Sequence, residues 1–147
     1  HKDGLALING ATFSAAITAL YAADMIELIH LANASAALSL EAMCGRSDAF
    51  NTGIHSARGI QGQIEVAEEI NSLINGSTFI DSLGQIQDAY SLRCAPQVHG
   101  AVKETAQFVV NIVEKEINAA TDNPLLIDNG MVSGGNFHGE PIALTAD

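Results

Sequence analysis

The sequence is poor in positive charge and cysteine and has no tryptophan. Its six Lys and Arg residues stand against seventeen Asp and Glu, which gives a formal net charge of −11 at pH 7. Nucleic acids and anionic membrane surfaces are recognised through clustered Lys and Arg. We therefore expect neither as a partner and interpret the acidity as a contribution to solubility.

Cysteine and metal-binding patterns are equally sparse. Cys44 and Cys94 are far apart and form no CxxC pair. Secreted disulfide-stabilised domains are cysteine-dense, so two isolated thiols indicate a reducing compartment, the cytoplasm. The five histidines form no HxxxH or HExxH pattern, and the sequence contains no P-loop and no GxGxxG. No metal site is therefore expected.

Apolar residues make up 48% of the 147-residue chain, which is enough for a sizeable core. Their spacing predicts three helices, over about 12–43, 60–74 and 96–120. The first is rich in Ala and Leu, lacks Gly and Pro, and is apolar on most faces, which is typical of a helix buried among others. Three polar residues argue against a membrane span there: Asp24, Glu27 and His30.

The remaining segments are expected to form loops and one hairpin. Turn residues predict loops over 1–10 and 45–59. Residues 76–95 show no clear period, and a long aperiodic stretch inside a compact protein is often functional. An Asn-Gly turn between short apolar runs predicts a small β-hairpin near 125–133. Both ends of the chain look like cuts through a longer polypeptide.

Polar side chains concentrate in the aperiodic stretch, within the run Gln87-Asp88-Ala89-Tyr90-Ser91-Leu92-Arg93. Tyr90 and Arg93 are three residues apart and would share a face of one helical turn. A guanidinium can grip a carboxylate through two parallel hydrogen bonds. A tyrosine can transfer a proton where a neighbouring cation stabilises its phenolate. From residue types alone, we favour the interpretation that Tyr90 is an ordinary tyrosine and that Arg93 forms a structural pair with Asp88.

Four motifs, in the right order, resemble those of one enzyme family. The run KDGLALING at 2–10 resembles KEGLALxNG, and QDAYSLR at 87–93 resembles QDxYSLR and continues into CAPQVHG. The run TDNPL at 121–125 resembles the same family's motif, and SGGNFHGEP at 133–141 resembles SGGNFHxEP. The chain is thus similar, essentially end to end, to the amino-acid ammonia-lyases that use a methylideneimidazolone (MIO) electrophile.

The resemblance implies an all-α fold in which long helices pack into the central bundle of a homotetramer. Residues 1–147 would be a single partial domain, an internal segment of the helical core. The electrophile forms from an Ala-Ser-Gly tripeptide, and no such tripeptide occurs in this sequence. In the family it lies upstream of the KxGLAL element, and a further acidic site residue lies downstream of the matching region. We expect about half of a catalytic site and no activity from the fragment alone.

Three catalytic residues follow from the resemblance. Tyr90 matches the loop tyrosine that transfers a proton, and Asn9 matches the residue that hydrogen-bonds the electrophile or the substrate amine. Gln87 matches a polar group that lines the same site.

Three substrate-binding residues follow in the same way. Arg93 matches the residue that binds the substrate carboxylate. Asn123 matches a polar lining residue, and Phe137 matches an aromatic residue packed near the electrophile.

The expected substrate is L-histidine, converted to urocanate and ammonia. Ala89 and the run HGEP at 138–141 look more like histidine ammonia-lyases than plant phenylalanine enzymes, which resemble QDRYALR and NFQGTP. Tyrosine and phenylalanine lyases, aminomutases, and a non-catalytic helical association module remain alternatives. The fumarase and argininosuccinate lyase group is also helical, but its Ser-Ser-x-Met-Pro loop is absent from the sequence.

Overall fold

A computed structural model describes residues 2–146 of the chain. It contains seven α-helices, one 3₁₀-helix and one pair of strands within those residues. In chain order these are α1 (Asp3–Ile8), α2 (Thr12–Ala42), the 3₁₀-helix (Ser47–Phe50), α3 (Thr52–Arg58), α4 (Gln61–Ile74), α5 (Tyr90–Arg93), α6 (Ala95–Ile117), β1 (Leu125–Ile127), β2 (Gly130–Val132) and α7 (Glu140–Ala146). The all-α fold class with a small hairpin is confirmed.

The three long helices begin and end within a few residues of their predicted bounds, but two predicted loops are wrong. Residues 1–10 contain α1, and residues 45–59 contain the 3₁₀-helix and α3. Helix α3 is short but well capped, because the Asn51 side chain accepts a hydrogen bond from the Gly53 amide and Gly59 ends the helix in the left-handed conformation. Elements of seven residues or fewer carry too little periodicity to be read from spacing.

The residue contacts divide the chain into two compact units. The middle unit comprises residues 25–106, and the outer unit comprises the residues up to Asp24 together with those from Gln107 onward. The unit boundaries fall within α2 and α6. The predicted single partial domain concerns the intact protein and stays a prediction.

Each unit has its own apolar core. In the middle unit, side chains of α2, the 3₁₀-helix, α4 and α6 form a buried cluster of Ala37, Leu40, Phe50, Val66, Ile70, Ile74 and Ala95. In the outer unit, α2, α6 and α7 bury a smaller cluster of Ala15, Ala22, Val109, Val113 and Ile142. Ala95, the first residue of α6, belongs to the core of the middle unit, so this core lies directly beneath the point where the predicted functional loop ends.

Helices α4 and α6 of the middle unit approach each other closely at two glycines. A Cβ added to Gly100 would lie 2.5 Å from the Gln63 Cα, and one added to Gly62 would lie 2.6 Å from the Gly100 carbonyl oxygen. Neither space admits a side chain. The two backbones can therefore touch only because both positions are glycine.

A polar chain joins three helices of the same unit. The fully buried Asn33 side chain donates to Glu69 Oε2 at 2.7 Å and contacts His99 Nδ1 at 2.8 Å. Because the Asn33 amide nitrogen is turned to the carboxylate, its oxygen accepts and His99 Nδ1 carries the hydrogen. Burial lowers the pKa of His99, which favours the neutral ring, and the Nδ1–H tautomer is the one that makes this contact. The network fixes α6 against α2 and α4.

The surface of α2 is unusually apolar. Large side chains are exposed along its length, including Phe13, Leu20, Tyr21, Leu28, Leu31 and Leu38. The helix has the length and apolar composition of a membrane-spanning helix, and a helix buried in a bundle has them too. Such surface normally requires cover from other parts of a protein.

The hairpin forms where the sequence predicts it, with the turn shifted by one residue. Ile127 pairs with Gly130, so the two turn residues are Asp128 and Asn129, both with positive φ. Two successive residues with positive φ are the requirement of a type I′ turn. Gly130 is the first residue of β2.

Replacing Gly100 with alanine should force α4 and α6 apart and lower the melting temperature of the intact protein. Overpacking of this kind costs roughly 1–3 kcal/mol. The matched control is Gly84→Ala, where an added Cβ meets nothing within 4 Å. Thermal unfolding followed by circular dichroism measures the difference, and equal melting temperatures for the two variants would contradict the close approach.

Candidate active site

In the middle unit, α5 brings together three of the predicted site residues. Leu92 and Arg93 donate backbone hydrogen bonds to the Ala89 carbonyl, which closes a single helical turn over Tyr90–Arg93. The turn places the Arg93 guanidinium carbon 4.5 Å from the centroid of the Tyr90 ring, within cation–π range. Arg93 Nη1 also donates to Gln87 Oε1 at 2.8 Å. The shared face predicted from the spacing is confirmed.

The Arg93 guanidinium is incompletely partnered. Its Nε is buried and has no hydrogen-bond acceptor among the described residues. The Tyr90 side chain, by contrast, is 72% exposed. A buried N–H without an acceptor is costly unless a ligand supplies one. Its Nη2 also makes no hydrogen bond to the described residues, so the guanidinium can still donate to an anion through this nitrogen.

The loop that precedes Tyr90 is anchored to the end of α2 by Arg46. Asp88 Oδ2 accepts from the Arg46 backbone N–H at 2.6 Å, and Arg46 Nη1 donates to the Gln85 carbonyl at 3.1 Å. The guanidinium also pairs with Asp48, and the hydrogen bond and charge of that carboxylate raise the pKa of Arg46. Asp88 is thus occupied by Arg46 and does not form the structural pair with Arg93 that residue types alone had favoured.

In the outer unit, Asn9 lies against the TDNPL segment. Its Nδ2 donates to Asp122 Oδ1 at 2.8 Å and to the Asn123 carbonyl at 3.2 Å. Lys2 Nζ contacts Asp122 Oδ2 at 2.6 Å and also donates to the Pro124 carbonyl. The first and third motifs are therefore joined by side-chain contacts.

The turn after Asn9 depends on glycine. Gly10 has a φ of +81°, and a Cβ at this position would lie 2.2 Å from the Thr121 carbonyl oxygen. Only glycine combines this backbone conformation with this proximity. Gly10 lets Asn9 reach the segment that begins at Thr121.

The TDNPL segment is also tied to the glycine-rich loop that follows the hairpin. Asn123 Oδ1 accepts from the Gly134 amide at 2.6 Å, and Asn136 Nδ2 donates to the Ala120 carbonyl at 3.2 Å. Phe137 follows directly and is 44% exposed. The outer unit thus holds Asn9 and Asn123 together and presents Phe137 from the adjoining loop.

The six predicted residues fall into two sets, Gln87, Tyr90 and Arg93 in the middle unit and Asn9, Asn123 and Phe137 in the outer unit. No group of metal-binding side chains occurs within residues 2–146. Both cysteines are free.

Sequence reasoning missed Lys2, Asp122 and Arg46, all of which support a predicted residue. Lys2 and Asp122 stand within the recognised motifs, but their pairing joins residues about 120 positions apart and leaves no local signal.

Asp122 carries the largest resolved electrostatic effect in this region. Hydrogen bonds from Lys2 and then from Asn9 lower its pKa from 3.8 to about 2, against a smaller opposing effect of burial. The carboxylate is therefore charged throughout the neutral range.

The chain matches the model of the aromatic amino acid lyase family over residues 1–147. It belongs to this family. The chain is similar to histidine ammonia-lyases of Alkaliphilus oremlandii and Clostridium tetani, each 50% identical over 99% of this chain. The matched region covers 30% and 29% of those two proteins, so the chain spans about a third of the length of the curated relatives it matches.

Solved structures of the family share the fold. The tyrosine aminomutase of Streptomyces globisporus superposes with a TM-score of 0.91 at 34% identity, covering 98% of this chain and 32% of that protein. The histidine ammonia-lyase of Trypanosoma cruzi superposes with a TM-score of 0.85 at 41% identity, covering 98% of this chain and 27% of that protein. The predicted helical architecture of the ammonia-lyase type is confirmed. The family is MIO-dependent, and its Ala-Ser-Gly is absent from these 147 residues.

The Asp122 carboxylate should stabilise the fold in a pH-dependent way. Because its pKa in the folded protein lies below the ordinary value, the stabilisation is fully present above about pH 4 and is lost as pH falls towards 2. The melting temperature of Asp122→Asn should therefore lie below that of the wild type at pH 7, and the gap should narrow below about pH 4.

Scanning calorimetry of the intact protein across this range measures the gap. The control is Asp128→Asn in the exposed hairpin turn, where no comparable change is expected. A gap for Asp122→Asn that stays constant down to pH 3 or below would contradict the ion pair with Lys2.

Proposed function

We propose that this chain is part of an enzyme that eliminates ammonia from L-histidine to give urocanate. The observation that carries the proposal is the Gln87–Tyr90–Arg93 cluster, in a chain that is 50% identical to histidine ammonia-lyases. The cluster combines an anion-binding group with a phenol that can exchange a proton. The six site residues predicted from the sequence are proposed in the same roles.

Arg93 binds the substrate carboxylate. Gln87 occupies Nη1 and orients the guanidinium, while the buried Nε is left without an acceptor. A carboxylate that accepts from Nη2 and from the second hydrogen of Nη1 would form the two-pronged contact that arginine favours. Asn123 of the outer unit, whose side-chain oxygen accepts from the Gly134 amide, is proposed as a polar lining residue of an active site through its amide hydrogens.

Tyr90 removes the β-proton of the substrate. Its ring is held under the Arg93 guanidinium while most of its surface is open. Proton transfer by a positioned side chain typically contributes about 10²–10⁴-fold to a rate.

The residues fit an MIO group supplied by another segment of the protein. Among the described residues, the side-chain oxygen Oδ1 of Asn9 accepts no hydrogen bond. The exposed Phe137 ring offers an apolar surface. The group supplies the electrophile that captures the substrate. Asn9 accepts a hydrogen bond at the reacting end of the site, and Phe137 packs beside it.

We further propose that the intact protein is a cytoplasmic homotetramer. Support comes from the exposed apolar surface of α2, which needs cover, and from the two free thiols. Without those contacts and without the tripeptide, the 147-residue chain would be inactive.

Expression of the intact protein with L-histidine tests the proposal. We expect absorbance of a conjugated acrylate to grow together with released ammonia in a one-to-one ratio. Turnover of tyrosine or phenylalanine only, or a β-amino acid product, would instead favour another lyase or an aminomutase. Silence with all three amino acids would overturn the catalytic proposal.

Tyr90→Phe removes the hydroxyl and keeps the ring. We expect kcat to fall at least about 100-fold, with unchanged assembly and unchanged unfolding temperature. Tyr21→Phe is the matched control, since it removes the other tyrosine hydroxyl of the chain outside the Gln87–Tyr90–Arg93 cluster, and its kcat should stay close to the wild-type value. Steady-state kinetics measure both, and near-normal kcat for Tyr90→Phe would exclude the proton-transfer role.

Arg93→Lys keeps the positive charge but removes the planar guanidinium with its parallel N–H donors. KM for L-histidine should rise roughly tenfold or more, because lysine cannot make the two-pronged contact. Histamine, which lacks the carboxylate, serves as the control ligand, and its inhibition constant should change little. Parallel losses for both ligands would argue against carboxylate recognition by Arg93.

A further inference from the structure

The side chain of Asn9 is held in one of its two possible orientations. Its Nδ2 faces two acceptors, Asp122 Oδ1 at 2.8 Å and the Asn123 carbonyl at 3.2 Å. These two contacts use both amide hydrogens. A rotation of the amide by half a turn would place the Asn9 oxygen against two other oxygens, so this orientation is strongly disfavoured.

The acceptor that decides the orientation is itself fixed. Asp122 Oδ2 is 2.6 Å from Lys2 Nζ, and Asp122 Oδ1 also accepts from the Asn123 backbone N–H at 2.7 Å. Lys2 is tied in addition to the Pro124 carbonyl. Both carboxylate oxygens are thus engaged, and the side chain is largely shielded, with 17% of its surface exposed.

An amide locked in this way has a defined chemical polarity. Asn9 has no hydrogen left to donate, and its carbonyl oxygen is the remaining hydrogen-bonding group. Such a group recognises N–H donors and rejects carboxylate or carbonyl oxygens. On L-histidine the α-amine and the imidazole N–H are such donors, and the α-amine is the one that meets the electrophile beside which Asn9 is proposed to lie.

We propose that Asp122, braced by Lys2, is a positioning residue that locks Asn9 as a hydrogen-bond acceptor for the α-amine of the substrate. This inference rests on the proposed function, because it assumes an amino-acid ligand. It assigns to Asp122 and Lys2 a part in substrate recognition through Asn9, without contact between either of them and the ligand.

The test compares two ligands that differ only in the amine. Binding of L-histidine and of 3-(imidazol-4-yl)propanoate is measured by calorimetry on the intact enzyme in a Tyr90→Phe background, which suppresses turnover. Asp122→Asn gives residue 122 an amide that can donate, so the Asn9 amide is free to turn. Affinity for L-histidine should fall roughly 10- to 100-fold, while affinity for the amine-free acid should change less than about twofold.

Two further variants separate positioning from general damage. Asn9→Ala combined with Asp122→Asn should lose no more affinity than Asn9→Ala alone, because Asp122 acts only through Asn9. Lys2→Met should weaken L-histidine binding in the same ligand-selective way but by less. Asp128→Asn is the control and should leave both affinities unchanged.

Equal losses for the two ligands, or additive losses in the double variant, would overturn the inference and leave Asp122 with a purely structural role. Retained binding of the amine-free acid also shows that the variant is folded. Failure of the proposed function is distinguishable, since it appears as no turnover of L-histidine, tyrosine or phenylalanine by the wild type. A wild type that binds the two ligands equally well would overturn the inference while leaving the lyase reaction intact.

Discussion

The guanidinium of Arg93 is held by neighbours that leave part of it without an acceptor. The Tyr90 ring lies beneath it, the Gln87 amide occupies one nitrogen, and its buried Nε has no acceptor among the described residues. These contacts depend on α5, a single helical turn. The loop before α5 is anchored by Arg46, which donates to the Gln85 carbonyl. The proposed chemistry of the middle unit follows from this one cation, which orients the phenol and offers an anion site.

The outer unit applies the same principle with the opposite charge. There the fixed ion is the Asp122 carboxylate, held by Lys2, and the oriented group is the Asn9 amide. In both units a charged side chain is held by one partner and orients a neighbouring polar side chain: Arg93 orients Tyr90, and Asp122 orients Asn9. Preorganised polar groups of this kind act without the energetic cost of reorganisation during reaction.

Much of this arrangement can be predicted from the sequence, because it is local. The three-residue spacing of Tyr90 and Arg93 predicts their shared face, and apolar periodicity predicts α2, α4 and α6. The features that the sequence does not predict are short helices and contacts between residues far apart in the chain. Helices α1 and α3 have too few residues for a period, and the Lys2–Asp122 pair joins residues 120 positions apart. Asp88 illustrates the limit, since a nearby Arg93 suggests a pair, yet the residue binds the backbone of Arg46, 42 positions away.

The apolar surface of α2 belongs to the same account. A helix with exposed Phe13, Leu20 and Leu31 is explained if other parts of a larger protein cover it. The chain spans about a third of the length of the curated relatives it matches. Segments of the intact protein that correspond to the rest of those relatives are candidates for covering α2. Activity is accordingly proposed for the intact protein.

A crystal structure of the intact enzyme with bound urocanate tests the central claim most directly. The account predicts that the urocanate carboxylate accepts hydrogen bonds from Arg93 Nη1 and Nη2 at about 2.8 Å, with the Gln87 contact retained. A carboxylate bound elsewhere, with Arg93 turned away from Tyr90 and Gln87, would contradict it.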